Sequence, residues 1–411
     1  MLRTFPAGFL WGTASAGHQI EGDNTTSDTW FAERVTPTVF QEPSGQACDG
    51  YRLWREDVDL AAGLGVSAYR FSVEWSRVEP AEGEFSADAL VHYGAIADRC
   101  AEHGMAAVVT FNHMTSPHWF AARGGWLDPE APSYFARYCD RVMAAFGDRI
   151  AIAVTLNEPN LPSLLSWLAI PDVVHDLERA TLEAAAAAAG VPRYRLTNVI
   201  LPEDMDAMGD GMTAGHRAAR AAIKARRPDL PVGFSLAVVD DQVIGDDPAV
   251  RDRKRAEVYA RWLDLAREDD YIGVQNYERL YYDAKGEVDE SGAPAGAAPL
   301  SSVDPRSLGE AVRYAHAATG VPVLVTEHGF NTEDDTRRVE FIEASLAGLA
   351  QAVHDGVPVR GYFHWTLMDN FEWVFGYGPK LGLHAVDRKT FARTPKPSAA
   401  AFAAIARANG V

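Results

Sequence analysis

Apolar residues fall along this chain in short unbroken runs rather than in strict alternation with polar ones. Eight such runs recur down its length: Phe9–Ser15, Val66–Val73, Ala106–Asn112, Ile152–Glu158, Val232–Val239, Tyr271–Tyr277, Pro322–Gly329 and Val359–Thr366. A continuous apolar run of this size predicts a strand covered on both faces, as in a parallel sheet. Stretches of helical periodicity lie between them, at Arg55–Gly63, Ala89–Glu102, Pro132–Ala145, Ala214–Arg226, Arg253–Arg267, Leu308–Thr319 and Arg337–His354. Helices stop at glycine, as at His103-Gly104 and Thr319-Gly320. Eight strand–helix units predict α/β architecture, a single (β/α)8 TIM barrel over residues 1–411. An open doubly wound sheet is the rival, but no GxGxxG follows the first strand. Glu183–Gly190, with six consecutive alanines, reads as helix, and Ser291–Pro299 as a flexible surface loop after the sixth strand.

Composition changes this picture only by exclusion. The 38 Lys and Arg against 57 Asp and Glu give a formal charge of −19, which argues against nucleic acid and anionic membranes as partners. No apolar run reaches the roughly 18 residues of a membrane span. The apolar N-terminus is broken by Pro6, Gly8 and Gly12, so it reads as the first strand rather than a signal peptide. Cys48, Cys100 and Cys139 are widely spaced, form no CxxC and resemble no zinc ligand set; reduced thiols and a cytoplasmic location are expected. No metal or cofactor is expected.

In a barrel of this type, chemistry gathers where the strands end. The ends here carry Gln19 and Glu21, Glu74-Trp75, Asn112-His113, Asn157-Glu158, Gln275-Asn276-Tyr277, Glu327-His328, and His364-Trp365 followed by Asp369 to Trp373. Carboxylates, amides, imidazoles and tryptophans on one mouth suit a sugar, whose hydroxyls take hydrogen bonds and whose C–H face stacks on aromatics. No glycine-rich phosphate cradle or ring of basic residues accompanies them. Two strand-end glutamates, Glu158 and Glu327, invite a specific use. Glycoside hydrolysis needs one carboxyl that keeps its proton and one that keeps its charge. Arg70, inside the second strand, is positioned to project toward Glu327, and Tyr277 to donate to it. Glu158 has Asn157 beside it and no fixed cation, so burial and the charge of Glu327 are expected to raise its pKa. Taken singly, a strand-end Glu is more often a solvated rim residue, His113 is as readily packed as functional, and Trp365 and Trp373 are more often core. The constellation is harder to explain as packing.

From FPAGFLWGTASAGHQIEG to RTPKPSAAAF the chain resembles the family 1 glycoside hydrolases, the β-glucosidase and β-galactosidase family, with LNEP after strand 4, TExG after strand 7 and DNFEW after strand 8. The resemblance implies a barrel that retains anomeric configuration through a covalent glycosyl-enzyme. It makes Glu158 the acid/base and Glu327 the nucleophile, with Arg70 and Tyr277 beside the latter. Gln19, His113, Asn157 and Glu372 then hold the non-reducing sugar, with Trp365 and Trp373 as platform and hydroxyl contact. The substrate implied is a small-molecule β-glycoside, most often a β-glucoside, with galactoside or fucoside as alternatives. Departures from the family pattern are His18 for a tyrosine, Met114 for a tryptophan, Gln275 in place of an asparagine, and His328 in TEHG. The segment after Pro159 is short and divergent; within it Trp167 is either an aglycone contact or a packed helix residue. Phosphosugar-specific relatives carry serine where this chain has Glu372, and Lys380 alone makes no phosphate site. Rivals to hydrolysis are transglycosylation, a silent sugar-binding barrel, and a Schiff-base aldolase, which needs a strand-end lysine that no predicted strand supplies.

Overall fold

A computed structural model describes residues 3–168, 170–293 and 303–411. Every predicted strand forms: β1 (Leu10–Ala14), β2 (Ala68–Ser72), β3 (Ala106–Asn112), β4 (Ile152–Asn157), β5 (Val232–Ala237), β6 (Ile272–Asn276), β7 (Val323–His328) and β8 (Val359–Trp365). All pair in parallel with their sequence neighbours, and β1 closes the ring by pairing with both β2 and β8. A helix follows each strand on the outside: α1 (Gly50–Gly63), α2 (Ala87–Glu102), α3 (Ala131–Phe146), α4 (Met205–Arg226), α5 (Ala249–Ala266), α6 (Ser307–Thr319), α7 (Asp335–His354) and α8 (Pro397–Ala408). This is a (β/α)8 barrel.

Burial on both faces explains the unbroken apolar runs. Outward residues such as Tyr69, Phe71, Val109 and Val325 join one core beneath the helices, while Ala68, Val108, Val154, Leu324 and Phe363 fill the barrel. Alternation would then send residue 157 outward after Val154 and residue 327 outward after Leu324. Both point inward, because the ladder slips at each place. The β4–β5 register shifts between Val154 and Asn157, and the β6–β7 register shifts between Val325 and Glu327. Such irregularities re-aim a side chain at the cost of local pairing.

Helix starts differ most from expectation. α4 begins at Met205 rather than Ala214, since Gly209, Gly211 and Gly215 hide its periodicity; Gly211 and Gly215 let it approach Trp126, and Gly209 leaves room for Arg261. The alanine run is the end of a longer helix, Asp172–Ala189, and α8 was not anticipated. Neither was a three-stranded rim sheet of Asp240–Val243, Arg279–Tyr282 and Glu287–Val288, whose strands are polar and short. Of the expected loop at Ser291–Pro299, residues 294–299 lie outside the described residues. Cys48, Cys100 and Cys139 are buried and unpaired. No helix among the described residues is long and apolar enough to cross a membrane.

Gly329 ends β7 against the neighbouring strand. A Cβ there would lie 2.1 Å from the Trp365 carbonyl oxygen. Gly329→Ala is therefore expected to lower stability by about 1–3 kcal/mol, read from urea unfolding; unchanged unfolding would show that the β7–β8 rim yields freely.

Candidate active site

The site is assembled around a guanidinium. Arg70 on β2 is fully buried and spends its donors inside the barrel. Nη1 donates to Glu327 Oε1 at 2.6 Å and the Thr326 carbonyl at 3.2 Å, Nη2 to Asn157 Oδ1 at 2.6 Å, and Nε to Thr110 Oγ1 at 3.0 Å. The Tyr277 hydroxyl donates to the other Glu327 oxygen at 2.7 Å. Both oxygens of Glu327 thus accept hydrogen bonds from groups that favour its anion. Burial leaves its pKa raised overall, with Arg70, Tyr277 and Gln275 opposing that rise.

Glu158 follows β4 with φ +47°, a left-handed conformation that a non-glycine residue adopts only when its surroundings impose it. Its amide donates to the Ser235 carbonyl at 2.8 Å, which fixes the turn. Burial drives its pKa well above the usual carboxylate range and the charge of Glu327 adds to that; Arg70 opposes more weakly. The two carboxyls line one cavity. Among the described residues only Glu327 has hydrogen-bonded counter-groups, so Glu158 is the member that keeps its proton. Such a pair is able to give a proton to one atom of a bound molecule while presenting an anion to another.

Around them stand the expected polar residues. His113, Asn157, Trp365, Glu372 and Trp373 line the same cavity, and Gln19 lies beside Glu372. Several have one end fixed and one free. Gln19 donates to the Phe371 carbonyl at 2.7 Å, while its Oε1 has no partner among the described residues. Asn157 Oδ1 accepts from Arg70 and from Gln275 at 2.8 Å, leaving Nδ2 without one. His113 Nδ1 and Glu372 Oε1 are likewise buried and unpartnered. Burial raises Glu372 to about 8, and burial with Arg70 nearby keeps His113 neutral. Buried polar groups are rarely left alone, so a ring of them around one cavity points to a hydroxyl-rich ligand. The aromatic wall is a ladder: Trp365, His113, Trp373 and His18 lie nearly parallel, with successive centroids 5.5, 6.2 and 5.8 Å apart.

The departures take defined places. His18 ends the ladder and pairs through Nε2 with the buried Glu33 at 2.9 Å. Burial alone would lower its pKa, but the hydrogen bond and charge of Glu33 raise it overall, with smaller help from Glu74 and Asp28. Met114, with φ +64°, lines the cavity beside His113. Gln275 supports Asn157, whereas His328 faces away, held by the Tyr362 hydroxyl at 2.9 Å and stacked on Phe341. Trp167 lines neither this cavity nor its neighbour; its indole donates to Glu257 on α5 at 3.0 Å, the packed alternative. Lys380 is tied to the Tyr377 carbonyl at 2.7 Å. Sequence reading missed Glu278, a further carboxyl on the cavity wall that burial raises to about 7, and Phe330, Asn331 and Phe375 at its mouth. Adjacency to Tyr277 was the available signal for Glu278.

Replacing Glu33→Gln leaves burial as the main influence on His18. Its pKa is expected to fall below 6.5, by about one unit or more from the wild-type value, in an NMR titration of the imidazole; an unmoved pKa would contradict the pairing.

Residues 1–188 and 294–411 match the family described as Glycosyl hydrolase family 1. Among solved structures, the β-glycosidase BGL167 is 46% identical, with a TM-score of 0.90 and coverage of 99% of this chain and 98% of that one. Thermostable β-glucosidase B of Thermobispora bispora is 30% identical over 462 residues, covering 99% of this chain and 92% of that protein. The bifunctional β-D-glucosidase/β-D-fucosidase of Bifidobacterium breve is 30% identical over 466 residues, with 97% of each covered. By the family match and these likenesses, the chain belongs to glycosyl hydrolase family 1.

Proposed function

We propose that residues 1–411 form one catalytic domain, a retaining exo-β-glycosidase that releases a terminal non-reducing β-D-glucose from small glycosides. The observation that carries this reading is the asymmetry of the carboxyl pair: Glu327 is gripped by Arg70 and Tyr277, while Glu158 is buried without such partners. In the first step Glu327 attacks the anomeric carbon as Glu158 delivers its proton to the departing oxygen. A glycosyl ester forms on Glu327 and its charge disappears. The influence of that charge on Glu158 disappears with it, so Glu158 becomes the stronger acid it must be to remain ionised and accept a proton from water. Water, losing its proton to Glu158, then attacks the anomeric carbon and breaks its bond to the Glu327 oxygen; this second inversion releases the sugar with its configuration retained, and both carboxyls return to their starting states.

The glycone sits against Trp365 and Trp373, with Gln19, His113, Asn157 and Glu372 offering their unpaired atoms to its hydroxyls. Neutral hexosides are favoured over acidic or phosphorylated ones, because Glu158, Glu278, Glu327 and Glu372 surround the cavity and Lys380 is engaged elsewhere. The relatives named as β-glucosidases support glucose as the sugar, and the Bifidobacterium enzyme extends the expectation to fucosides. Three unpaired buried thiols agree with a reducing cytoplasm.

Glu327→Gln is expected to reduce hydrolysis of an aryl β-glucoside by at least about four orders of magnitude with unfolding unchanged. A 2-deoxy-2-fluoro-glucoside with a good leaving group should label Glu327 in peptide mapping; label on another residue, or none, would refute its role. The pH profile of kcat/KM should be a bell, falling on the acid side as Glu327 takes a proton and on the alkaline side as Glu158 loses one. Tyr277→Phe removes a donor to the anion of Glu327, so its acid limb should move upward by about one unit; a limb that stays or moves down would contradict the assignment.

A further inference from the structure

Glu372 and Trp373, two of the cavity residues, sit on a loop that leaves the barrel after β8. Trp373 has φ +50°, a left-handed conformation that a side chain of its size keeps only with outside support. Two distant segments give that support. The Gln19 carbonyl accepts the Phe371 amide at 3.1 Å, and the Gln19 side chain donates to the Phe371 carbonyl at 2.7 Å. Residues 41–44 hold the other side. The Gln41 amide donates to the Val374 carbonyl at 3.1 Å, the Tyr377 amide to Glu42 Oε1 at 2.8 Å, and the Tyr377 hydroxyl to the Ser44 carbonyl.

His18 stands where the two supports meet. Its ring lies within 3° of parallel to Trp373 at a centroid distance of 5.8 Å, and edge-on to Phe371 at 6.0 Å. One imidazole therefore packs against both chain neighbours of Glu372. Its Nε2 pairs with Glu33 Oε1 at 2.9 Å, and neither side chain has any exposure. The other Glu33 oxygen accepts from the Ser44 amide at 2.9 Å and the Ser44 hydroxyl at 2.8 Å. A single buried carboxylate thus ties the imidazole to the 41–44 segment. Neither His18 nor Glu33 lines the sugar cavity.

From this geometry we propose that His18 is a positioning residue for the sugar: pinned by Glu33, its ring fixes the plane of Trp373 and the place of Glu372 beside it. The inference rests on the reading of Trp373 and Glu372 as sugar contacts. The imidazole cannot tip without breaking its bond to Glu33 and leaving a carboxylate buried and unpaired on that side, which is costly. A cationic ring stacked on an indole is also held there by the indole's electron-rich face. The histidine that departs from the family's tyrosine and the buried Glu33 therefore work as one device.

The test is a double-mutant cycle in kcat/KM, read with phenyl β-glucoside and with β-glucosyl fluoride. His18→Gln keeps a donor for Glu33 and removes the ring. It is expected to lose about tenfold on both substrates, because a glycone contact does not depend on the leaving group. In a Trp373→Ala background the same change should cost less than about twofold, since the indole it positions is gone. Urea unfolding checks that each variant is folded. Should His18→Gln unfold, Glu33→Gln goes through the same cycle; its amide oxygen can still accept both Ser44 bonds, and a loss of about threefold is expected. Activity of the tested variant within about twofold of wild type, losses that multiply in the double variant, or a loss confined to the phenyl glucoside would overturn the proposal. If Trp373→Ala alone hydrolyses both substrates as well as wild type, the sugar-contact reading fails and the positioning role with it. If Trp373→Ala is impaired and the His18 loss multiplies with it, only the positioning role fails.

Discussion

The buried guanidinium of Arg70 is the constraint on which the rest of the site depends. It reaches from β2 to β3, β4 and β7 through Thr110, Asn157, Glu327 and the Thr326 carbonyl, so one side chain references four strands to one another. A charge at that depth is tolerable only with its partners in place. That requirement works in both directions: Glu327 makes Arg70 affordable, and Arg70 makes Glu327 the carboxyl that stays ionised. Glu158 then sits near a fixed negative charge with no hydrogen-bonded cation of its own, and keeps its proton as a consequence.

Two backbone irregularities give this arrangement its geometry. Regular alternation on β4 and β7 would turn Asn157 and Glu327 toward the helices, away from Arg70. The register slips before each residue bring both inside. The left-handed turn at Glu158 carries the next carboxyl to the same cavity. Backbone that looks irregular in the ladder is therefore what converts two strand sequences into one site. The same rim shows a division of labour among aromatic residues. Trp365, His113, Trp373 and His18 stack nearly parallel, and the His18–Glu33 pair anchors the far end of that ladder in a polar, buried network with Asn24 and Glu74.

The barrel was legible because burial on both faces leaves a signal that needs no partner information: eight unbroken apolar runs, each ending close to its observed strand. The catalytic candidates were legible because carboxylates at the ends of such runs are conspicuous, and because an arginine inside a strand demands a counter-charge. What escaped the sequence has physical reasons. A register slip depends on the neighbouring strand, so neither bulge is visible in β4 or β7 alone. Gly209, Gly211 and Gly215 concealed half of α4, because they lower helix propensity while serving close packing, on Arg261 for the first and on Trp126 for the other two. Glu278 lies one residue past Tyr277, and only the fold turns it toward the cavity. Trp167 had two readings in the sequence, and its bond to Glu257 selects the packed one.

Opposite protonation of two neighbouring carboxyls is the core of the proposed mechanism, and it is open to direct observation. Carboxyl-carbon NMR of glutamate-labelled protein, titrated in the wild type and in Glu327→Gln, reads each group separately. Glu158 should titrate above Glu327 in the wild type, and its pKa should drop once the charge at position 327 is gone. Simultaneous titration of the two, or a Glu158 indifferent to the loss of its neighbour's charge, would contradict it.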